Sequence, residues 1–115
     1  MSPYEPYVVL CEKLNEIALI RDAKSVLFST GGEAVENAVK IALIHTGRQG
    51  VIAFRGAFHC RTALTSTVSG KIAPYRAGGG DGGANVFHAP FPIAYHGITV
   101  DAALAGLETI FKNRN

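Results

Sequence analysis

The sequence predicts an α/β fold built on a parallel sheet, and three of its features carry that expectation. An apolar run, Val26-Leu27-Phe28, leads through the glycine pair Gly31-Gly32 into a stretch patterned as a helix as far as His45. A second apolar run, Gly50-Val51-Ile52-Ala53-Phe54, follows. Strand, helix and strand within about thirty residues is the spacing of a right-handed parallel crossover. The third feature is Phe58-His59-Cys60-Arg61-Thr62, a cluster of aromatic, imidazole and guanidinium groups leaving the second run. Open parallel sheets bind their ligands at that end of a strand.

Each element has its own signal. Tyr4, Tyr7, Val8, Cys11, Leu14 and Ile17 recur at three- and four-residue steps, the apolar face of a leading helix within residues 1–20. Residues 25–54 then read as strand, turn, helix and strand. The run 26–28 is too short for a helix and bulky enough for a strand buried on both faces. Thr30 followed three residues later by Glu33 is a capping box, which starts the helix at Gly31. Ala34, Ala38, Ile41 and Ala42 share one side of it, small enough to pack closely on a sheet, with Glu36 and Lys40 paired four apart on the other. Gly47 ends it.

Residues 55–98 read as a functional loop with a glycine-rich segment. Thr62 to Gly70 is rich in Ser and Thr and weakly periodic, and continues through Lys71, Pro74, Tyr75 and the glycines from Gly78 to Gly83. Gly78, Gly80 and Gly83 spell a dinucleotide fingerprint, but no strand precedes them and no helix follows, so the match fails its structural test. Asn85 to Ala89 is a candidate third strand, stopped by Pro90 and Pro92. Over 99–113 a last helix gathers Ala103, Leu104, Leu107, Ile110 and Phe111 on one face, with Lys112 where a cation suits the helix dipole.

Composition narrows the function classes. At 115 residues, with 48% hydrophobic and 17% charged content, the chain reads as one soluble globular unit. A net charge of +2 spread over scattered Lys and Arg gives no reason to expect nucleic acid. No apolar run approaches a membrane span, and the N-terminus lacks a basic segment followed by an apolar one, so a cytoplasmic protein is expected. Cys11 and Cys60 read as free thiols, and His45, His59, His88 and His96 show no metal-ligand spacing. A sheet of two or three strands leaves exposed edges, so the sequence looks like part of a larger domain that would self-associate.

The candidate site follows from local chemistry. Two glycines at a helix start leave the first N–H groups uncovered by any Cβ, and the helix end carries roughly half a positive charge, so Gly31 and Gly32 make a seat for a phosphate or carboxylate. A capped helix without a ligand is the other reading of the same residues. Phe58 offers a face for stacking on a heteroaromatic ring, and Arg61 a fork for a carboxylate. Taken singly, Phe58 reads first as core, His59 as a loop histidine and Arg61 as a solvated charge; their joint position opposite the glycine turn is what favours a site.

Pro3-Tyr4-Glu5-Pro6-Tyr7, Ser29-Thr30-Gly31-Gly32-Glu33-Ala34-Val35-Glu36-Asn37-Ala38-Val39-Lys40, Gly50 to Phe54, Gly56-Ala57-Phe58-His59 and Arg61-Thr62 together resemble the class III aminotransferases, and within them the 4-aminobutyrate aminotransferase group. The resemblance covers nearly all of the chain and a minority of a family enzyme. It implies the large domain of a fold type I enzyme, a partial three-layer parallel-sheet domain, with pyridoxal 5'-phosphate as cofactor. Gly31 and Gly32 are then expected to hold the phosphate, Phe58 to stack on the pyridine ring with His59 beside it, and Arg61 to meet the substrate carboxylate. It also implies a homodimer, and amino-group transfer from 4-aminobutyrate or a similar ω-amino acid to a keto acid such as 2-oxoglutarate.

Two departures qualify that picture. Cys60 stands where the family usually has glycine, so a Cβ there meets trouble if the backbone needs a positive φ or runs close to the cofactor. The family's Schiff-base lysine, and the Asp that pairs with the pyridinium nitrogen, match none of these residues; Lys13, Lys24, Lys40, Lys71 and Lys112 all lie at other positions. No catalytic residue is therefore assigned, and the isolated chain is expected to show no turnover. The alternatives are a non-catalytic phosphate-binding or interaction module, or a truncated remnant.

Overall fold

The computed structural model describes residues 4–70 and 85–113. The expectations for Lys71, Pro74, Tyr75 and Gly78 to Gly83 lie outside them. In chain order the elements are α1 (Glu5–Ile17), α2 (Gly31–Thr46), β1 (Gly50–Phe54), α3 (Ala63–Val68), β2 (Asn85–Ala89), a 3-10 turn (Ala94–His96) and α4 (Val100–Lys112). Strands β1 and β2 pair in parallel, with Gly50 opposite Asn85 and Phe54 opposite Ala89. The Arg55 N–H donates to the Ala89 carbonyl at 2.9 Å, carrying the pairing one bond further. The architecture is α/β on a parallel sheet.

Helix α1 opens with Pro6 in its first turn, where a missing N–H costs nothing. Two bonds tie it to the segment that follows. The Ser25 hydroxyl donates to Asn15 Oδ1 at 2.8 Å, and the Leu27 N–H donates to the Tyr7 hydroxyl oxygen at 3.1 Å. Val26 to Phe28 form no strand. The Leu27 amide is spent on Tyr7, and among the described residues no neighbouring strand offers the segment a ladder. Its side chains stay exposed, Val26 at 56%.

Helix α2 starts at Gly31 under a capping box complete in both directions. The Glu33 N–H donates to Thr30 Oγ1 at 3.2 Å, and the Thr30 N–H to Glu33 Oε2 at 3.0 Å. Gly47 closes it in the left-handed conformation at φ 65°. Its covered face differs from the expected one. Ala34, Ala38, Ile41 and Ala42 are exposed, whereas Gly32 is buried and Val35, Glu36, Val39 and Leu43 are half-buried. The reason is that α2 packs toward α3, and the segment from Cys60 to Thr62 leading into α3 takes the side holding Gly32 and Glu36. The Thr62 hydroxyl donates to Glu36 Oε1, so Glu36 bonds across to α3.

Residues 63–68, expected as loop, form α3. Its sequence, Ala-Leu-Thr-Ser-Thr-Val, has poor helix propensity, and the hydroxyls compensate by bonding within their own turn. Thr62 and Thr65 make a second reciprocal cap; Ser66 Oγ and Thr67 Oγ1 each donate to the Ala63 carbonyl at 3.0 Å. Those bonds let Thr65, Ser66, Thr67 and Ser69 be buried beside the small apolar core of Ala53, Val68, Ala89 and Ala103. Every buried side-chain N or O atom among the described residues has a partner. Helix α4 lies against β2, and Gly106 permits that approach: a Cβ there would stand 2.5 Å from Pro90 Cγ.

Candidate functional site

Beyond the carboxyl end of β1 the chain turns at Gly56, φ 80°, and passes back over the start of α2. There Gly31, Gly32, Val35, Phe58, His59 and Cys60 line an open hollow of about 270 Å³. The structure thus gathers four expected residues, Gly31, Gly32, Phe58 and His59, around one space. Arg61 is exposed and does not line it, although it directly follows Cys60 in the chain. Phe58 is 57% exposed, leaving much of its ring accessible.

The floor is the first turn of α2. Its N–H groups lack partners inside the helix by geometry. Glu33 satisfies its own through Thr30, and the Ala34 N–H reaches the Thr30 carbonyl at 3.1 Å. Among the described residues, Gly31 and Gly32 donate to no protein acceptor. Nothing lies within 4 Å of where a Cβ at Gly31 would stand, whereas one at Gly32 would meet Cys60 Sγ at 3.0 Å and Cys60 Cβ at 3.3 Å.

The wall from Phe58 to Cys60 is held from behind by Ser69, which is 1% exposed. Its hydroxyl oxygen accepts from the His59 N–H at 2.9 Å; the same hydroxyl faces the Thr65 carbonyl at 2.8 Å and the Cys60 carbonyl at 3.3 Å. One buried oxygen therefore fixes the backbone on both sides of His59. Sequence reading missed it, because a serine in a Ser/Thr-rich stretch carries no mark of burial. Ser69→Ala leaves the His59 amide unpaired and is expected to lower stability by about 1–3 kcal/mol. A urea unfolding midpoint measures it, and an unchanged midpoint would show that water replaces the bond.

Cys60 completes the wall at φ 94°, in the left-handed region that favours glycine. The difficulty anticipated for a Cβ at this position is thus present in the backbone. A larger hollow of about 650 Å³, lined by Arg48, Gln49, Gly50, Ile52, Phe87, Ile110 and Phe111, lies on the sheet beside α4. Its lining is mainly apolar and brings no bared pair of amides together, so the smaller hollow is the better candidate despite its size.

Comparison with known proteins adds the decisive finding: residues 1–114 match the family described as Aminotransferase class-III. The chain belongs to the class III aminotransferases. It is 55% identical over 111 residues to a 5-aminovalerate aminotransferase of Pseudomonas putida, and 50% identical over 111 residues to a 4-aminobutyrate aminotransferase of Escherichia coli. Each alignment covers 96% of this chain and 26% of the relative. The chain therefore spans little more than a quarter of the length of those class III aminotransferases. A solved transaminase with L-ala superimposes with a TM-score of 0.84 over 99% of this chain and 30% of its own, at 18% identity, which is a likeness of fold. No helix among the described residues is long and apolar enough to cross a membrane.

The class III aminotransferases are pyridoxal-phosphate enzymes, and the residues present fit that group on one observation. Two adjacent amides with no protein acceptor share a hollow with an accessible aromatic ring. A phosphate needs the first and a pyridine ring the second.

Proposed function

We propose that this chain is the part of a pyridoxal-phosphate aminotransferase that binds the cofactor, in an enzyme moving an amino group from 4-aminobutyrate or a similar ω-amino acid to 2-oxoglutarate. The observation that carries the reading is the hollow shared by the Gly31 and Gly32 amides with Phe58 and His59. The relatives, named for their action on 5-aminovalerate and 4-aminobutyrate, support the choice of donor.

In this reading the Gly31 and Gly32 N–H groups donate to the phosphate, helped by the helix dipole. Phe58 covers one face of the ring and excludes water from it, with His59 beside it. Arg61, outside the hollow, is the residue to hold the substrate carboxylate. Bound pyridoxal phosphate supplies an aldehyde and an electron-withdrawing ring that stabilises negative charge on the substrate carbon. The chain's own contribution is to bind and to orient. Lys13, Lys24, Lys40 and Lys112 do not line the hollow, so none moves the proton there, and residues 1–115 alone are expected to give no turnover. Assembly as a homodimer belongs to the same reading. It is supported by the large apolar side chains that α1 leaves exposed, among them Val9 at 57% and Leu10 at 48%.

A titration with 4'-deoxypyridoxine 5'-phosphate, which lacks the reactive aldehyde, tests the seat. Binding about a hundredfold tighter than that of pyridoxine is expected, the worth of one or two charge-assisted hydrogen bonds. Equal affinities would show that the amides hold no phosphate. Binding of the phosphate ester by a protein that shows no aminotransferase activity with its full-length sequence would favour a non-catalytic module.

A further inference from the structure

We propose that Gly32 and Cys60 form one steric unit that sets the room at the phosphate seat, the Cys60 thiol filling the space that a side chain at position 32 would take. This rests on the cofactor reading above. Three observations carry it. The two residues line the same hollow, one on its floor and one on its wall. A Cβ on Gly32 would stand 3.0 Å from Cys60 Sγ and 3.3 Å from Cys60 Cβ, tighter than ordinary carbon contacts, with Thr62 Cγ2 at 3.7 Å. The neighbouring Gly31 has nothing within 4 Å of the same position. The crowding is thus specific to the Gly32–Cys60 pair and not a property of the helix end.

The backbone that carries the thiol has little freedom to yield. Cys60 carries its side chain at φ 94°, where the Cβ is already crowded by its own backbone. Its carbonyl faces Ser69 Oγ at 3.3 Å, and the His59 amide before it is bonded to the same hydroxyl at 2.9 Å. The loop cannot retreat without breaking those bonds. Added bulk at position 32 meets the Cys60 Cβ even when the thiol rotates aside, and so presses the Phe58–Cys60 wall away from the amides, altering the width that a phosphate group meets. Position 32 excludes even a methyl group only while position 60 carries a side chain.

A double-mutant cycle on the protein tests this, with urea unfolding and the affinity for 4'-deoxypyridoxine 5'-phosphate read in parallel. Gly32→Ala alone is expected to lower the folding equilibrium constant about tenfold. Cys60→Gly alone is expected to raise it severalfold by relieving the left-handed backbone. In the Cys60→Gly background, Gly32→Ala is expected to cost less than about twofold, and to recover most of the analogue affinity that the single variant loses. Gly31→Ala serves as the control and leaves the unfolding midpoint in place.

The outcomes are separable. If wild-type protein binds the analogue and Gly32→Ala costs the same in both backgrounds, the pairing is wrong and the seat stands. If unfolding shows the coupling but wild-type protein does not bind the analogue, the seat fails, and with it the claim that the pair sets its width.

Discussion

Gly70→Ala is expected to destabilise the protein by about 3 kcal/mol or more, at the upper end of what overpacking costs, and to abolish the proposed binding of 4'-deoxypyridoxine 5'-phosphate with it. The cause lies in backbone atoms that cannot rotate aside. A Cβ at Gly70 would stand 2.3 Å from the Gly56 nitrogen, 2.6 Å from the Phe54 carbonyl oxygen and 2.8 Å from the Arg55 carbonyl carbon. Gly70 leaves the end of α3 and donates its N–H to the Ala57 carbonyl at 2.8 Å, pinning the helix to the turn after β1. Relieving the clash means lifting α3 from that turn, and α3 backs the loop that carries Phe58, His59 and Cys60. A urea titration with the analogue binding assay reads both effects. A variant with the wild-type midpoint would show that the turn at Gly56 moves freely.

Gly32→Val is expected to lower the affinity for 4'-deoxypyridoxine 5'-phosphate by about a hundredfold or more. Its branched side chain demands more room than the thiol of Cys60 occupies, so Cys60→Gly does not restore binding. Gly31→Val supplies a partner experiment. Its Cβ enters open space, leaving the fold intact, yet it adds bulk beside the amide proposed to hold the phosphate. Far-ultraviolet circular dichroism confirms that both variants retain their helices, and titration reads the loss. Wild-type affinity in both would remove the two amides from any role in binding.

The start of α2 was legible because a capping box is encoded by two side chains three residues apart, and its partners lie within the same turn. Strand β1 was legible from its apolar run, and α4 from its period. What failed depended on partners distant in sequence. Val26 to Phe28 have the composition of a strand, but composition does not say that Tyr7 takes the Leu27 amide. The small residues of α2 pointed to the face of Ala34, Ala38, Ile41 and Ala42, but the segment from Cys60 to Thr62 covers the side holding Gly32 and Glu36. Helix α3 was illegible because hydroxyl residues read as loop until their bonds to carbonyls one turn back are seen.

The grouping of the candidate residues was legible to a similar degree. Gly31, Gly32, Phe58 and His59 could be grouped from strand-end placement, and Cys60 was marked as the position where a positive φ would matter. Arg61 was grouped with them by its place after the strand and by the family resemblance, and it does not line the hollow. Ser69 gave no signal, since its importance arises from burial.

The parallel pairing of β1 with β2 also bears on how the molecule assembles. Gly50 meets Asn85, so the ladder closes a long stretch of chain, and such closures are slow compared with helix formation. The first turn of α2 can form from local contacts, whereas the Phe58–Cys60 wall and α3 lie inside the stretch that must close. The two halves of the hollow therefore differ in how far along the chain their contacts reach, one local and one conditional on the strand pairing. A ligand that needs both halves binds only the form in which the strands have met. It deepens the native well by mass action without shortening the road to it.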